Sequence, residues 1–502
     1  VLNRLAKQIA ELDVTIAETR NLTERVQRLH EKSRLETSYE STATRVLAKI
    51  PEAQRMALTG RVTPGDVARH LTSDELFITF TFDEGGYGAA FSIDASARVE
   101  RHRIELGEGL ARSVEAAIEY LDGLRPGRRD SRKLWRLEDG SYRIAGSPKD
   151  SSWAPVPSPR ELFAYLGRVL LAPSIATSAS KTKLVISLDG PLWRLPFELL
   201  ELDGLRVVDR FDVAYAPSAA MFQLVRQQQR SPPPSGSWQL DLVAFGAPEF
   251  SSTSSSMRSP MLGRGGGKEG VAESLRLEGN PKNGSIEWDS LPGTLKEVQL
   301  VSSHFEPSKT LVLTGKDASE RRLKALDKSG TLRSTRFLLF STHGYVSGAN
   351  PETNSVILAG ANDPSDTDGY LSALEIASLD LGSKLVVLSA CDSARGPYRL
   401  GEGVANLASA VTLAGGGGAL VTLWPIADEM AASFISMFFR NLRDGVDASR
   451  ALALTKRNFM KARGTSDPFY WAPFVLIGGQ HVDFRAVSTQ RFHPDLTHPI
   501  LA

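Results

Sequence analysis

Two stretches decide the fold: Arg336-Phe-Leu-Leu-Phe-Ser-Thr-His-Gly344 and Lys384-Leu-Val-Val-Leu-Ser-Ala-Cys-Asp-Ser393. Each is a short, continuous apolar run that ends in small and polar residues. Such runs read as strands buried on both faces, the mark of a parallel sheet with helices packed above and below it. In an open α/β sheet, ligands bind beyond the carboxyl ends of the strands. If the two strands are neighbours, His343 and Cys391 meet at one rim.

The pattern repeats outward from these two. Strands are expected at Lys183–Leu188, Asp241–Phe245, 310–314, Gly418–Leu423 and Trp471–Ile477. Helices are expected over 108–122, 160–172, 294–304, 317–328, 402–414, 428–443 and 447–462, with Asp317 and Glu320 at capping-box spacing. Glu75–Phe82 and Tyr87–Ile93, joined by a Gly-rich turn, read as a hairpin. Strand–helix alternation of this kind gives a parallel or mixed sheet. The Ser/Pro-rich stretch 146–160 reads as a loop, Gln229–Gly236 as a linker, and 251–287 as a long insertion rich in Ser, Gly and basic residues.

Residues 1–50 read as helix. Leu2, Leu5, Ile9, Leu12 and Ile16 follow three-four spacing, and Leu22, Val26 and Leu29 resume it after a phase slip. The seam fits a helical hairpin on the main body, or an arm that docks a partner. The chain begins at Val1, as a processed or trimmed piece of a longer protein would.

Bulk properties narrow the chemistry. The formal net charge is +1 over 502 residues, which gives no reason to expect nucleic acid or an anionic membrane as partner. No apolar run is long enough to span a bilayer, and no signal-peptide stretch opens the chain. One cysteine excludes internal disulfides and fits a reducing, cytoplasmic setting. Its eight histidines lack ligand spacing, so neither a metal nor another cofactor is expected. Gly415–Gly418 lacks the Lys-Ser/Thr of a phosphate loop and follows a helix rather than a strand, against nucleotide binding.

Cys391 with His343 is a different matter. The imidazole raises the thiolate fraction of the cysteine and can protonate a leaving amine. The spacing of 48 residues, counted from 343 to 391, matches the caspase pattern of a His about 50 residues before the nucleophile. Backbone N–H groups of Gly344 and Cys391 are the candidate oxyanion donors. A lone Cys at a strand end is more often a small buried apolar residue. The pairing is what argues for chemistry.

Residues 336–477 resemble the catalytic half of a CHAT-domain protease, a relative of caspases and separases. The matching pieces are Ser341–Gly344, Gly369-Tyr-Leu-Ser-Ala-Leu-Glu-Ile376, Val387–Ser393, Gly401-Glu-Gly-Val404, Leu423-Trp-Pro-Ile426 and Tyr470–Gly478. Upstream, Leu188–Phe197, Ala214–Ser218, Ala244–Pro248 and Leu291–Thr294 resemble the family's first half. The resemblance implies a caspase-like α/β/α sandwich in two halves behind an N-terminal helical segment. The divisions would be 1–72 (helical), 73–237 (catalytically empty half), 238–480 (catalytic half) and 481–502 (extension). The first half holds no cysteine, so it cannot be a second thiol site.

The resemblance further implies a cysteine endopeptidase of bacterial defence or programmed death. It would cut a protein substrate, such as a pore-forming or regulatory protein, under control of an activating partner bound through the N-terminal helices. By resemblance to separases, Trp424–Asp428 lies along the S1 wall. Asp428 would pair with a P1 Arg or Lys, with Asp392 a second acidic candidate and Trp424 part of the wall. An N-cap role for Asp428 fits equally well. If P1 is basic, Arg258, Arg264 and Lys268 would make the insertion a site of self-cleavage. Two other functions stay open at this point. One is a non-catalytic interaction module built on the helical arm and the empty half. The other is a thiol hydrolase or transferase acting on small substrates.

Overall fold

The computed structural model describes most residues from 61 to 482, together with scattered helical positions between Glu24 and Ser38. Outside it lie the rest of 1–60, 83–86, 106–107, 125–132, 146–153, 157, 177, 179, 231–237, 251–279, 283–284, 289, 346–353, 360–368, 390–406, 425, 427, 480 and 483–502. The apolar seam of the first 29 residues, the basic residues of the insertion, and the C-terminal extension beyond 482 therefore lie outside the described residues.

One sheet of 11 strands organises the rest. In chain order these are β1 (Glu75–Phe82), β2 (Tyr87–Asp94), β3 (Val99–Glu105), β4 (Lys183–Ser187), β5 (Asp212–Tyr215), β6 (Leu240–Pro248), β7 (Thr310–Gly315), β8 (Thr335–Ser341), β9 (Leu385–Ser389), β10 (Gly418–Thr422) and β11 (Phe474–Gly478). Across the sheet they run β7-β6-β8-β9-β10-β11-β5-β4-β1-β2-β3. The core from β7 to β10 is parallel, as continuous apolar runs require. The closing strand β11 is antiparallel to β10 and parallel to β5, so it joins the strands on either side of the 231–237 linker. The expected β1–β2 hairpin forms in the register Leu76↔Asp94 to Phe82↔Gly88.

Seven helices matter below: α1 (Pro64–Ala68), α2 (Glu108–Gly123), α3 (Ala219–Arg230), α4 (Pro292–Ser302), α5 (Leu407–Leu413), α6 (Asp428–Arg443) and α7 (Ala448–Lys461). Alternate side chains of β1 and β4 fall into two separate cores. Phe77 and Val185 join Val67 of α1 and Phe222 of α3. Leu76, Ile78, Leu184 and Ile186 join Leu110, Val114 and Leu121 of α2. Both faces are therefore covered, giving an α/β/α sandwich. Further along, Phe305 just after α4, Phe337 of β8 and Phe439 of α6 meet pairwise with centroids 5.7 Å apart. Phe434 of α6 stacks on Phe474 of β11 at 3.7 Å.

Two local expectations shift. The helix expected from Asp317 starts at Glu320. Ser319 is its N-cap and accepts the Arg322 N–H, while the Asp317 N–H closes a turn on the Thr314 carbonyl. The strand expected from Trp471 starts at Phe474, after a 3-10 turn at Pro468–Tyr470. Pro473 has no N–H for the ladder and only its carbonyl is used, by Leu423. The glycine run at 415–418 has a packing reason. A Cβ at Gly415, whose φ is +99°, would lie 2.5 Å from the Leu381 carbonyl oxygen.

The α4–α6 contact carries a pH switch on stability. His304, just past α4, sits 3.1 Å from the Ser436 hydroxyl. Burial first, then Arg443 and Arg440, push its imidazole down from 6.5 to about 4. An unfolded chain protonates this histidine at about 6.5 and the fold resists, so stability is intact above that pH and is lost between about 6.5 and 4. At about 1.4 kcal/mol per pH unit, the loss approaches about 3 kcal/mol by pH 4. A His304→Gln variant keeps a hydrogen-bonding group without the titration. Its urea midpoint should fall markedly less than the wild type's from pH 7 to pH 4, and equal slopes would remove His304 as the cause.

Candidate functional site

The rim at the carboxyl ends of β8 and β9 is built by strand register. The two strands are parallel neighbours, paired from Phe337↔Leu385 through Ser341↔Ser389, and the Thr342 N–H reaches the Ser389 carbonyl at 3.2 Å. The next strand over adds Gly246↔Ser341. Gly246, Ser341 and Ser389 thus form one row across three strands. A Cβ on Gly246 would lie 2.5 Å from Val298 Cγ1 and 3.1 Å from the Thr294 carbonyl oxygen, so the missing side chain is what lets α4 lie so close. That approach brings the buried Glu297 of α4 to the end of β9, where its Oε2 accepts the Ser389 hydroxyl at 2.9 Å.

His343 follows directly. A small sheet made of Gly344–Tyr345, Ser355–Ile357 and Tyr370–Ser372 fixes its backbone. The His343 carbonyl accepts the Ile357 N–H at 2.9 Å, and the Thr342 hydroxyl donates to the Ile357 carbonyl at 2.5 Å. His343 is only 6% exposed. It lies under two aromatic rings, Trp288 at 4.9 Å and Phe250 at 5.5 Å between centroids. The Trp288 indole N–H donates to the Tyr370 hydroxyl at 3.0 Å.

The other expected residues are placed unevenly. Cys391 and Asp392 lie outside the described residues. Gly344 is buried beside His343, at the start of the small sheet. Trp424 is 2% exposed, and its indole N–H is taken by the Phe469 carbonyl at 3.1 Å. Asp428 is the first residue of α6, one position past where an N-cap would stand. The structure brings together His343, Gly344 and the end of β9, from which Cys391 is two residues away. Sequence reasoning missed Phe250, Trp288, Tyr370 and Glu297. Tyr370 was inside a quoted motif, and Phe250 and Trp288 bracket the 251–287 insertion, the one signal that could have drawn attention to them.

The model of the CHAT domain matches residues 160–479, well over half of the chain. The chain belongs to the CHAT-domain family. Among curated proteins, mouse tetratricopeptide repeat protein 28 is 34% identical over 108 residues, which is 22% of this chain. The human protein of that name matches to the same extent. The CHAT chain spans only about 4% of those relatives' length. Among solved structures, the Saccharomyces cerevisiae separase–securin complex aligns with TM-score 0.44 and 10% identity, covering 82% of this chain and 30% of that one. The complex of Porphyromonas gingivalis RgpB pro- and mature domains aligns with TM-score 0.35 and 8% identity, covering 64% and 68%. At these scores no residue is carried across. Among the described residues of this CHAT protein, no helix is long and apolar enough to cross a membrane.

Proposed function

We propose that this CHAT-domain protein is a cysteine endopeptidase with Cys391 as nucleophile and His343 as its acid–base partner. One observation carries the proposal: β8 and β9 are parallel neighbours in register to their last residues, Ser341↔Ser389. Two residues of chain span at most about 7 Å, and neighbouring strands lie about 4.8 Å apart. That short reach is what supports pairing Cys391 with His343.

The chemistry follows from the pair. The thiolate attacks the peptide carbonyl carbon, and the developing oxyanion is met by the N–H groups of Gly344 and Cys391. The imidazolium gives its proton to the leaving amine. Water, deprotonated by the now neutral imidazole, then hydrolyses the thioester and restores the thiol. Specificity for Arg or Lys at P1 would come from the Asp428 carboxylate, with Asp392 and Trp424 at the same pocket. An activating protein partner, a cytoplasmic setting and a role in defence or cell death complete the proposal.

The test uses wild type and Cys391→Ala with a peptide panel carrying Arg, Lys, Asp or Met at P1, and intact mass of the protein itself. Wild type should cleave after Arg and Lys and the variant should not. Cleavage by both forms removes Cys391 as nucleophile. A preference for Asp removes the basic P1 assignment alone.

A further inference from the structure

We infer that Trp288 is a positioning residue for His343, held in place by Tyr370, so that an aromatic clamp sets the imidazole for the thiol. This rests on the Cys391–His343 reading above, and adds a device to it that neither the family match nor the strand register supplies.

The geometry is specific. The Trp288 and His343 centroids are 4.9 Å apart with ring planes inclined at 41°. Phe250 closes a second side at 5.5 Å. Backbone bonds fix the His343 main chain, through its carbonyl and the Ile357 N–H, but they do not fix the ring. Trp288 and Phe250 pack directly against the ring. Trp288 itself lies outside any long helix or strand. Its N–H bond to the Tyr370 hydroxyl, at 3.0 Å, sets its rotation, and the Trp288 and Tyr370 rings meet edge-on at 6.3 Å. Tyr370 in turn stands on the same small sheet that pins the His343 backbone, in register with Ile357. Ring and backbone of the histidine are therefore referred to one support.

An aromatic face also favours the charged form of a ring beside it. A cation against a Trp face is stabilised, the more so the further it is desolvated. A dyad that works as thiolate and imidazolium needs that charged form. Trp288 would thus raise the thiolate fraction of Cys391 without touching substrate.

The chain has a single cysteine, so alkylation reads one site. The experiment measures the iodoacetamide alkylation rate against pH for the full chain. It also follows the His343 ring resonance in protein labelled with 13C-histidine, assigned by its loss in His343→Ala. The variants are Trp288→Ala, Trp288→Phe and Tyr370→Phe. For Trp288→Ala, the His343 resonance should shift as the indole ring current is lost, and alkylation at pH 6 should slow by roughly 2-fold to 4-fold, with the midpoint of its pH profile moving up. Trp288→Phe and Tyr370→Phe, which keep a ring at each place, should move both readouts in the same direction and less far. Where His343→Ala slows alkylation, a Trp288→Ala protein with wild-type alkylation overturns the inference, whether or not the resonance moves. If alkylation in wild type itself is unaffected by His343→Ala, the dyad reading fails, and the resonance alone then decides whether Trp288 holds the ring.

Discussion

Alkylation of Cys391 at pH 6 is expected to run roughly ten-fold faster in wild type than in His343→Ala. A free cysteine titrates near 8.5, and about 0.3% of it is thiolate at pH 6. A cysteine beside an imidazolium titrates as low as the range of about 3.5 to 7.5. With a midpoint near 6, half of it is thiolate, a gain of roughly 160-fold in reactive form. A weaker base is a poorer nucleophile, and a Brønsted slope near 0.45 takes back about one order of magnitude. The net factor is near ten. The midpoint of the rate profile should move further than the rate, from near 6 to near 8.5 in the variant. Superimposable profiles for the two proteins would end the dyad proposal. The measurement needs no substrate and no activator, so it separates a missing dyad from an enzyme awaiting its partner.

The rim was legible in the sequence because its signals are local. Phe337–Phe340 and Leu385–Leu388 are apolar at every position, and only a strand covered on both faces tolerates that. Each run is followed by small and polar residues, which puts the ends at the sheet's edge. The adjacency of β8 and β9 stays conditional in the sequence, although sequential strands of a sheet tend to be neighbours, and strand register supplies it. The clamp was not legible. Phe250 and Trp288 lie far along the chain from His343 and carry no periodicity that points to it. Their contact depends on where α4 enters, which Gly246 decides by having no side chain. Nor was the place of β11 legible. The closing strand reads as apolar from Phe474 to Ile477, but nothing in it says that it runs antiparallel to β10 and sits beside β5. The helix caps show a third limit. Asp317 and Ser319 are both acceptable N-caps by type. Local turn geometry chose Ser319, because the Asp317 N–H was already committed to Thr314.

Lys456→Met should cost about 3 to 5 kcal/mol of stability, because it would strip a buried carboxylate of its counter-charge. Lys456, on α7, is 1% exposed, and its ammonium lies 2.5 Å from Glu198 Oε1. Glu198 sits in the 3-10 turn Phe197–Leu199 and is itself buried. Its other oxygen accepts the Tyr215 hydroxyl at 2.5 Å, and that hydroxyl accepts the Phe197 N–H at 2.9 Å. Burial pushes the Lys456 ammonium down, against the pull of Glu198, and pushes the Tyr215 phenol well up, so the phenol keeps the proton it donates to Glu198. Methionine fills a similar volume, which limits the packing loss and leaves the electrostatic loss to be read. Adding Glu198→Gln to Lys456→Met removes the orphan charge while keeping an acceptor for Tyr215. The double variant should therefore be more stable than Lys456→Met alone. Urea midpoints with unchanged slopes measure both. A single-variant loss below about 1 kcal/mol would mean that water or another cation reaches Glu198. The location gives the pair its consequence. Lys456 belongs to a helix that precedes the closing strand, while Glu198 and Tyr215 belong to the part of the sheet before the linker. Around them the same helix region makes further ties, Lys183 to Asp447 at 2.8 Å and Arg457 to Asp212 at 3.5 Å. Those flanking pairs are more exposed and each contributes less. The buried lysine thus ties α7 to the cysteine-free part of the fold through Glu198, and its loss should lower one cooperative transition, not split it in two.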